Sequence, residues 1–594
     1  MDQEHLNKGN VKNQQRIMVF VQFLFSFLLI ACGPYKGGFQ DRGEFTAEHE
    51  GTWAVTATAF KLAGEQDVRN VKIHWEQRSD IDIYKIYRDG KLIGEARGNV
   101  FDDYNLPVGQ TYRYHVEGYR DGRKLARTIA HQAETYTVDG DASIYDNSNG
   151  KTIKNGTPHP QGFKIENQYY RYQIRRSVRT REEASGAERI RGRSIYEMVS
   201  PDGLGNWQQR ELAFYPNPVN FEGVATVYNK ETEKIVLVAH YEDEGGYVAA
   251  KLYLAQITPG GDLEETFADR PLGFESRDQS IFIDDDNTAY ILSAANMNED
   301  IHIYRLDEAW SEPVALINTV FKGEHRETPY ITKKDGRYYF FSSKASGWYP
   351  SQGMYASAMD LAGDWTPLKE LGNNSTFGSQ TNSVSEFGSD KKTYGMYSYR
   401  WGAQFNHPEV TGNYPRLLYL NFNGGYASME YYSTLERHEK YGLIPVQAAR
   451  NLTLGKPVTA TNKADESASA SVVTDGAALN SSPVFMGGDP PYSLTIDMER
   501  AANISEIHLA TKLVGGSETA YKYTIEGSVD GENYSMLVDD SDNWQVGFKI
   551  HKVEKQSLCR YIRLHVHGIV NVHDEADAEW ADGIYEITTF GTYE

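Results

Sequence analysis

Cysteine is nearly missing from this sequence: 594 residues hold two, Cys32 and Cys559. Two cysteines that far apart exclude a disulfide framework. Positive charge is also short. Lys and Arg number 60 against 82 Asp and Glu, a formal net charge of −22. So acidic a chain lacks the basic footprint that nucleic-acid binding requires, and it suits a neutral ligand. No Gly-rich phosphate loop occurs. Asp284-Asp285-Asp286-Asn287 lacks the spaced ligands of an EF-hand and reads as a hairpin turn. His565, His567 and His573 lack a diagnostic metal spacing. No metal ligand is therefore assigned, and no cofactor is expected to be required. Long helical periodicity is missing too. Aromatics are abundant instead, at 12 % with 41 Tyr and 9 Trp. Alternating β-branched and aromatic runs bounded by Gly, Asp and Asn predict an all-β chain. A hydrophobic share of 40 % excludes global disorder. At roughly 100–200 residues per domain, about three to five domains are expected.

One apolar run, from Ile17 to Ala31, follows Lys8, Lys12 and Arg16. It falls short of the roughly twenty residues that a bilayer span needs, so residues 1–31 read as a signal peptide. Leu29-Ile30-Ala31-Cys32-Gly33 resembles the bacterial lipobox. That resemblance implies lipidation of Cys32 and a membrane-anchored lipoprotein of a Gram-negative-type bacterium, facing the periplasm or the cell surface. Residues 32–50 would be a tether. Cys559, left without a partner, is expected to be a buried core thiol.

Three segments follow. In residues 51–138, Val71-Lys72-Ile73-His74-Trp75 alternates, and Ile83-Tyr84-Lys85-Ile86-Tyr87-Arg88 runs into the turn Asp89-Gly90. Leu106…Gly109…Tyr112 then forms a late corner. The pattern resembles a fibronectin type III sandwich with Trp75 in its core, and a spacer role is expected. Residues 139–450 carry a weak repeat of polar turn and hydrophobic strand, at Asn167–Tyr172, Glu233–Val238, Asn287–Leu292, Asp335–Phe340 and Lys391–Met396. Five copies predict a five-bladed β-propeller, whose strand ends would converge on a central channel. Residues 451–594, through Leu494–Met498, Ile504–Leu509, Tyr523–Gly531 and Cys559–Leu564, resemble the discoidin (F5/8 type C) jelly roll, many of whose bacterial relatives are family 32 carbohydrate-binding modules. That resemblance implies a sugar-binding role close to the polymer. Relatives often hold a structural calcium, but no ligands for one stand out here.

Along the propeller, Val219-Asn220-Phe221-Glu222-Gly223-Val224, Glu275-Ser276-Arg277-Asp278, Gly323-Glu324-His325-Arg326-Glu327-Thr328-Pro329 and Thr376-Phe377-Gly378-Ser379-Gln380 fall in one order. The order resembles glycoside hydrolase family 43, in its exo-β-1,3-galactosidase branch. Glycoside hydrolysis needs a carboxylic acid that protonates the departing oxygen, and neighbouring carboxylates can raise its pKa. Glu327, before Thr328-Pro329, is expected to be that acid, with His325 and Arg326 orienting it. The resemblance implies that Glu222 tunes the acid, that Asp278 contacts substrate, and that Gln380 holds the attacking water or acts through its imidic tautomer. Arg277 reads as half of a structural pair. Trp348 and Tyr247 are loop aromatics suited to a sugar face, and His159 is a candidate for the channel floor.

The chain also departs from the branch. Pro160-Gln161 replaces Gly-Gly, Gln173 replaces a Glu, and Tyr399-Arg400-Trp401 replaces Asp-Arg-Trp. The first blade lacks the Asp base of most of the family. The expected function is an exo-acting, inverting glycoside hydrolase, a monomer that removes terminal sugars, β-galactose foremost, from a complex polysaccharide in a bacterial glycan-degradation system, with a polysaccharide or oligosaccharide as substrate. The alternatives are β-xylosidase, α-L-arabinofuranosidase, or a catalytically silent sugar-binding lipoprotein.

Overall fold

The computed structural model describes residues 53–148, 151–153, 162–183, 186–401, 414–514 and 518–594. Cys32, the leader and His159 lie outside them. Regular structure among the described residues is almost entirely β.

Near the N-terminus two sheets face each other. Strands Val55–Leu62, Asn70–Trp75 and Val100–Asp103 lie in one, and Lys91–Ala96, Ile83–Arg88, Thr111–Arg120 and Arg123–Arg127 in the other. Alternate side chains point inward. Val71, Ile73, Trp75, Tyr84, Ile86 and Tyr114 therefore make one core in which Trp75 is fully buried. The Tyr112 hydroxyl donates to the Pro107 carbonyl at 3.3 Å, closing the late corner.

This unit does not stand apart as a spacer. Val55–Leu62 runs parallel to Gly442–Gln447, with Lys61 opposite Val446. Gly442–Gln447 pairs with Thr434–His438, which pairs in turn with Ser143–Asp146. One seven-stranded sheet therefore joins segments that the sequence separates. Asn423 and Asn421 donate to the Val55 and Ala57 carbonyls at 2.7 and 3.1 Å. A strand edge with unpaired backbone groups is completed by whichever strand reaches it, and alternation within a strand does not name that neighbour.

Among the described residues, five four-stranded antiparallel sheets follow in chain order, spanning 163–216, 220–269, 279–320, 326–371 and 380–430. The five repeated runs fall on the second strand of each: Gln168–Glu183, Lys234–Glu242, Ala289–Ala295, Arg337–Lys344 and Thr393–Arg400. These strands read as continuous apolar runs where sheets cover both faces, as in Ile235–Ala239 and Tyr338–Phe341. First strands pack on first strands, Asn220–Asn229 on Gln279–Ile283, then Arg326–Lys334, then Gln380–Phe387.

The C-terminal sheet is built on Tyr492–Thr511, Thr519–Ser528, Lys549–Asn571 and Ile584–Tyr593. Its core includes Cys559, 1 % exposed, whose thiol burial pushes up to about 11. The domain packs directly on the fourth and fifth sheets. Ala510, Phe548 and Tyr585 share a cluster with Tyr339, Phe341 and Met429. Asn374 donates to the Thr511 carbonyl at 2.8 Å and Ser433 to Glu506 at 2.5 Å.

Candidate active site

Four first strands present their N-terminal ends together, and three of them break register there. Pairing shifts between Glu222 and Ala225, between Glu327 and Tyr330, and between Thr381 and Ser383. A bulge turns the side chain beside it out of the pleat. The local sequence allows each break. Gly223 has φ +56, and its carbonyl accepts from the Gln279 amide at 2.7 Å. Thr328 has φ +50, a region disfavoured for a β-branched residue, and its N–H donates to Asp278 Oδ2 at 3.1 Å. Pro329 follows, where a missing N–H does not harm the ladder.

Glu327 sits at the centre. Asn298 Nδ2 donates to its Oε1 at 2.9 Å and Gln380 Nε2 to its Oε2 at 3.3 Å. Trp401 Nε1 donates to Gln380 Oε1 at 2.8 Å. Indole nitrogen is a donor only, so Trp401 fixes the amide with oxygen toward itself and NH2 toward the acid. Across the cluster, Tyr247 donates to Glu222 Oε1 at 2.8 Å and Asn220 Nδ2 to the same oxygen at 3.1 Å. Gly245 and Gly246, both at positive φ, turn the chain so that Tyr247 returns over Glu222. His240 lies opposite Glu222 across the ladder, and its Nε2 meets Glu242 Oε1 at 2.8 Å.

The electrostatics separate the carboxyls. Burial pushes Glu327 up to about 8, and the Asp278 charge adds to this; Arg326 and the Gln380 hydrogen bond oppose it. Asp278 is raised chiefly by burial, against the pull of His240, and the Glu222 charge pushes it further up. The carboxylate that acts directly on the acid is therefore Asp278. The Glu222 charge acts in turn on Asp278. The expectation for Arg326 is corrected. Its guanidinium donates to Ser342 Oγ and to the Ser342 and Gln352 carbonyls at 3.0, 2.9 and 3.3 Å, and it acts on Glu327 by charge rather than by a hydrogen bond. It braces the strand while Asn298 and Gln380 hold the carboxyl.

Glu222, Tyr247, Asp278, Glu327 and Gln380 thus form one connected group. Arg277 bonds Glu275 at 3.3 Å and the Tyr247 carbonyl at 3.3 Å. Trp348 stands 44 % exposed on the rim. It shares a crevice with Tyr399 and Trp401, whose rings stack 5.2 Å apart. Asn298 was not singled out from sequence. It ends a turn in which Asn296, Met297 and Asn298 all have positive φ, and an Asn-rich turn is the only local signal. Its Oδ1 is buried with no partner among the described residues, leaving an acceptor beside the acid.

Trp401→Phe tests the amide lock. It keeps the ring and removes the N–H, and kcat is expected to fall about tenfold. In a Gln380→Ala background the same change should cost nothing further. Equal losses in both backgrounds, measured in parallel, would refute a role exerted through Gln380.

Residues 267–398 match the family model "Glycosyl hydrolases family 43", and residues 457–581 match that of the F5/8 type C domain. Those two stretches are similar to a family 43 glycoside hydrolase domain and to a discoidin-type domain. No curated protein matches the sequence. Among solved structures the chain is similar to an exo-β-1,3-galactanase from Clostridium thermocellum, at 23 % identity over 69 % of this chain and 100 % of that one, with a TM-score of 0.42. An exo-β-1,3-galactanase from Phanerochaete chrysosporium bound to β-1,3-galactotriose is similar at 20 % identity over 76 % of this chain and 99 % of that one, with a TM-score of 0.45.

Proposed function

We propose that this protein is an exo-acting, inverting glycoside hydrolase that removes terminal β-galactose from a polysaccharide or oligosaccharide. The observation that carries the reading is the Glu327 carboxyl, pushed up to about 8 and held by donors on both oxygens beside two further carboxyls. A group protonated at neutral pH can donate to a departing glycosidic oxygen. As the bond to that oxygen breaks, the proton passes from Glu327 to the leaving sugar and positive charge grows on the ring. Nearby Asp278 and Glu222 suit that charge. Glu222 and Tyr247 offer an acceptor and a donor to sugar hydroxyls. Gln380, fixed as an amide by Trp401, orients the acid and the attacking water. The family 43 match supports the reaction class, and the order of motifs along the sheets supports galactose.

A second reading is a sugar-binding protein without turnover. It is favoured by the Trp401 N–H, which holds Gln380 Oε1 as an acceptor and so opposes the imidic tautomer that could serve as base. Monosaccharide release from a panel of arabinogalactan, xylan and algal polymers, with the product anomer followed by NMR, separates the two. Release of α-galactose by wild type is expected. Binding without release by both wild type and Glu327→Gln would establish the second reading.

We place the protein on a bacterial membrane through an acylated Cys32, on the strength of its lipobox-like sequence. Mass spectrometry of the membrane fraction is expected to find the diacylglyceryl-modified N-terminal Cys; an unmodified Cys32 would refute the anchor.

A further inference from the structure

The loop bearing Trp348 rises directly beside the acid. Glu327 pairs with Ser343, and the loop begins just beyond the next residue of that strand, Lys344. Its base is clamped by Ala345 N–H donating to the His325 carbonyl at 2.9 Å. At its tip Gly347 has φ +62 and Trp348 φ +78. Positive φ is costly for a bulky residue and persists only where the surroundings enforce it. The loop's own bonds set the turn, Tyr349 N–H to the Ser346 carbonyl at 3.3 Å and Ser346 Oγ to the Tyr349 carbonyl at 2.7 Å, and the C-terminal domain seats it. Tyr349, 8 % exposed, packs with Ala520, Val546 and Val572, and its ring meets His573 edge-on at 5.5 Å. Burying Tyr349 forces its neighbour outward. The opposite lip is tied to the same domain, because Arg400, between Tyr399 and Trp401 in sequence, donates to Gln545 Oε1 at 3.0 Å. The lips meet at a crevice too tight to admit water, lined by Trp348, Ser379, Tyr399, Trp401 and Val546, so the C-terminal domain braces Trp348 from behind.

We propose that the C-terminal domain is a fixed brace behind the active cleft, and that it holds Trp348 out as a platform for the sugar on the leaving side of the scissile bond. This rests on the hydrolase reading for its orientation. A general acid stands next to the departing oxygen, and the Trp348 loop continues the strand paired with Glu327, so its ring is placed to meet the first sugar beyond that oxygen. The ligand is a neutral hexose of the polymer, since aromatic faces take the C–H face of a sugar and a net charge of −22 repels an anionic chain.

The test compares binding of galactose, which fills the terminal pocket, with binding of β-1,3-galactotriose, which extends past it. Both are measured by calorimetry on the full-length Glu327→Gln protein, so turnover does not enter. Trp348→Ala is expected to weaken galactotriose about tenfold more than galactose, and Trp348→Phe to keep the ratio within about twofold. Tyr349→Ala and the milder Val546→Ala, each checked for an intact melting transition, are expected to lower the same ratio. An unchanged ratio in Trp348→Ala overturns the platform. A fall in Trp348→Ala that neither interface variant reproduces overturns the part assigned to the C-terminal domain. Failure of the hydrolase reading shows separately, as absence of sugar release by wild type.

Discussion

Glu327→Gln is expected to reduce sugar release by about 10²- to 10⁴-fold, the range that a positioned general acid supplies. The substitution preserves shape; its oxygen can accept from Gln380, and its NH2 can donate to Asn298 Oδ1 once that amide turns over, so it removes the proton at small cost to the packing. Sugar binding should survive it. The same variant carries a second signature. Burial and the Asp278 charge raise the carboxyl to about 8 in the folded protein, above the ordinary carboxyl value of about 4.3 that it takes when unfolded. The stability this group contributes is therefore present below the unfolded value and is lost as pH rises through the folded one. Gln does not ionise. Glu327→Gln should melt at a higher temperature than wild type at pH 8, with the gap closing toward pH 4. Stability gained together with activity lost is what a strained catalytic group predicts. A variant that retains wild-type turnover, or that melts lower at pH 8, would remove Glu327 from the role of acid.

Asp278→Asn should move the alkaline limb of the pH–rate profile. Wild-type activity is expected to decline above about pH 8, where Glu327 loses its proton. Burial is the larger cause of the raised value and the Asp278 charge the next. Removing that charge makes ionisation of Glu327 easier, so the limb should fall by about one pH unit and remain above the ordinary carboxyl range. The Asn oxygen can still accept from the Thr328 N–H, which preserves the bulge. The two carboxyls titrate as a pair, and the limb reports the pair. The measurement is kcat/KM against pH for both proteins. A limb that stays in place, or moves to higher pH, would show that Asp278 does not act on the acid.

Several features were legible in the sequence because they are local. Alternation in Val71–Trp75 placed Trp75 in a core, and a polar turn before each apolar run marked five second strands. The positions of Glu222, Glu327 and Gln380 at strand starts were readable for the same reason. Partners drawn from distant strands were not. Asn298 lies in an ordinary Asn-rich turn, and only the packing of adjacent sheets carries it to Glu327. Arg326 is next to the acid in sequence, yet successive residues of a strand point to opposite sides, and its guanidinium goes to Ser342 instead.

By itself the sequence determined the β character of the chain, its segment order, the chemistry available at each strand end and the lipobox-like start, since periodicity and short-range spacing encode these. Tertiary structure alone decided three further matters. The N-terminal sandwich shares a sheet with the strand Gly442–Gln447, Asn298 reaches the acid from a neighbouring sheet, and the C-terminal domain buries Tyr349 beside the Trp348 loop. Each depends on which surfaces and strand edges meet. That choice is made by burial and backbone pairing between segments hundreds of residues apart, and no local pattern records it.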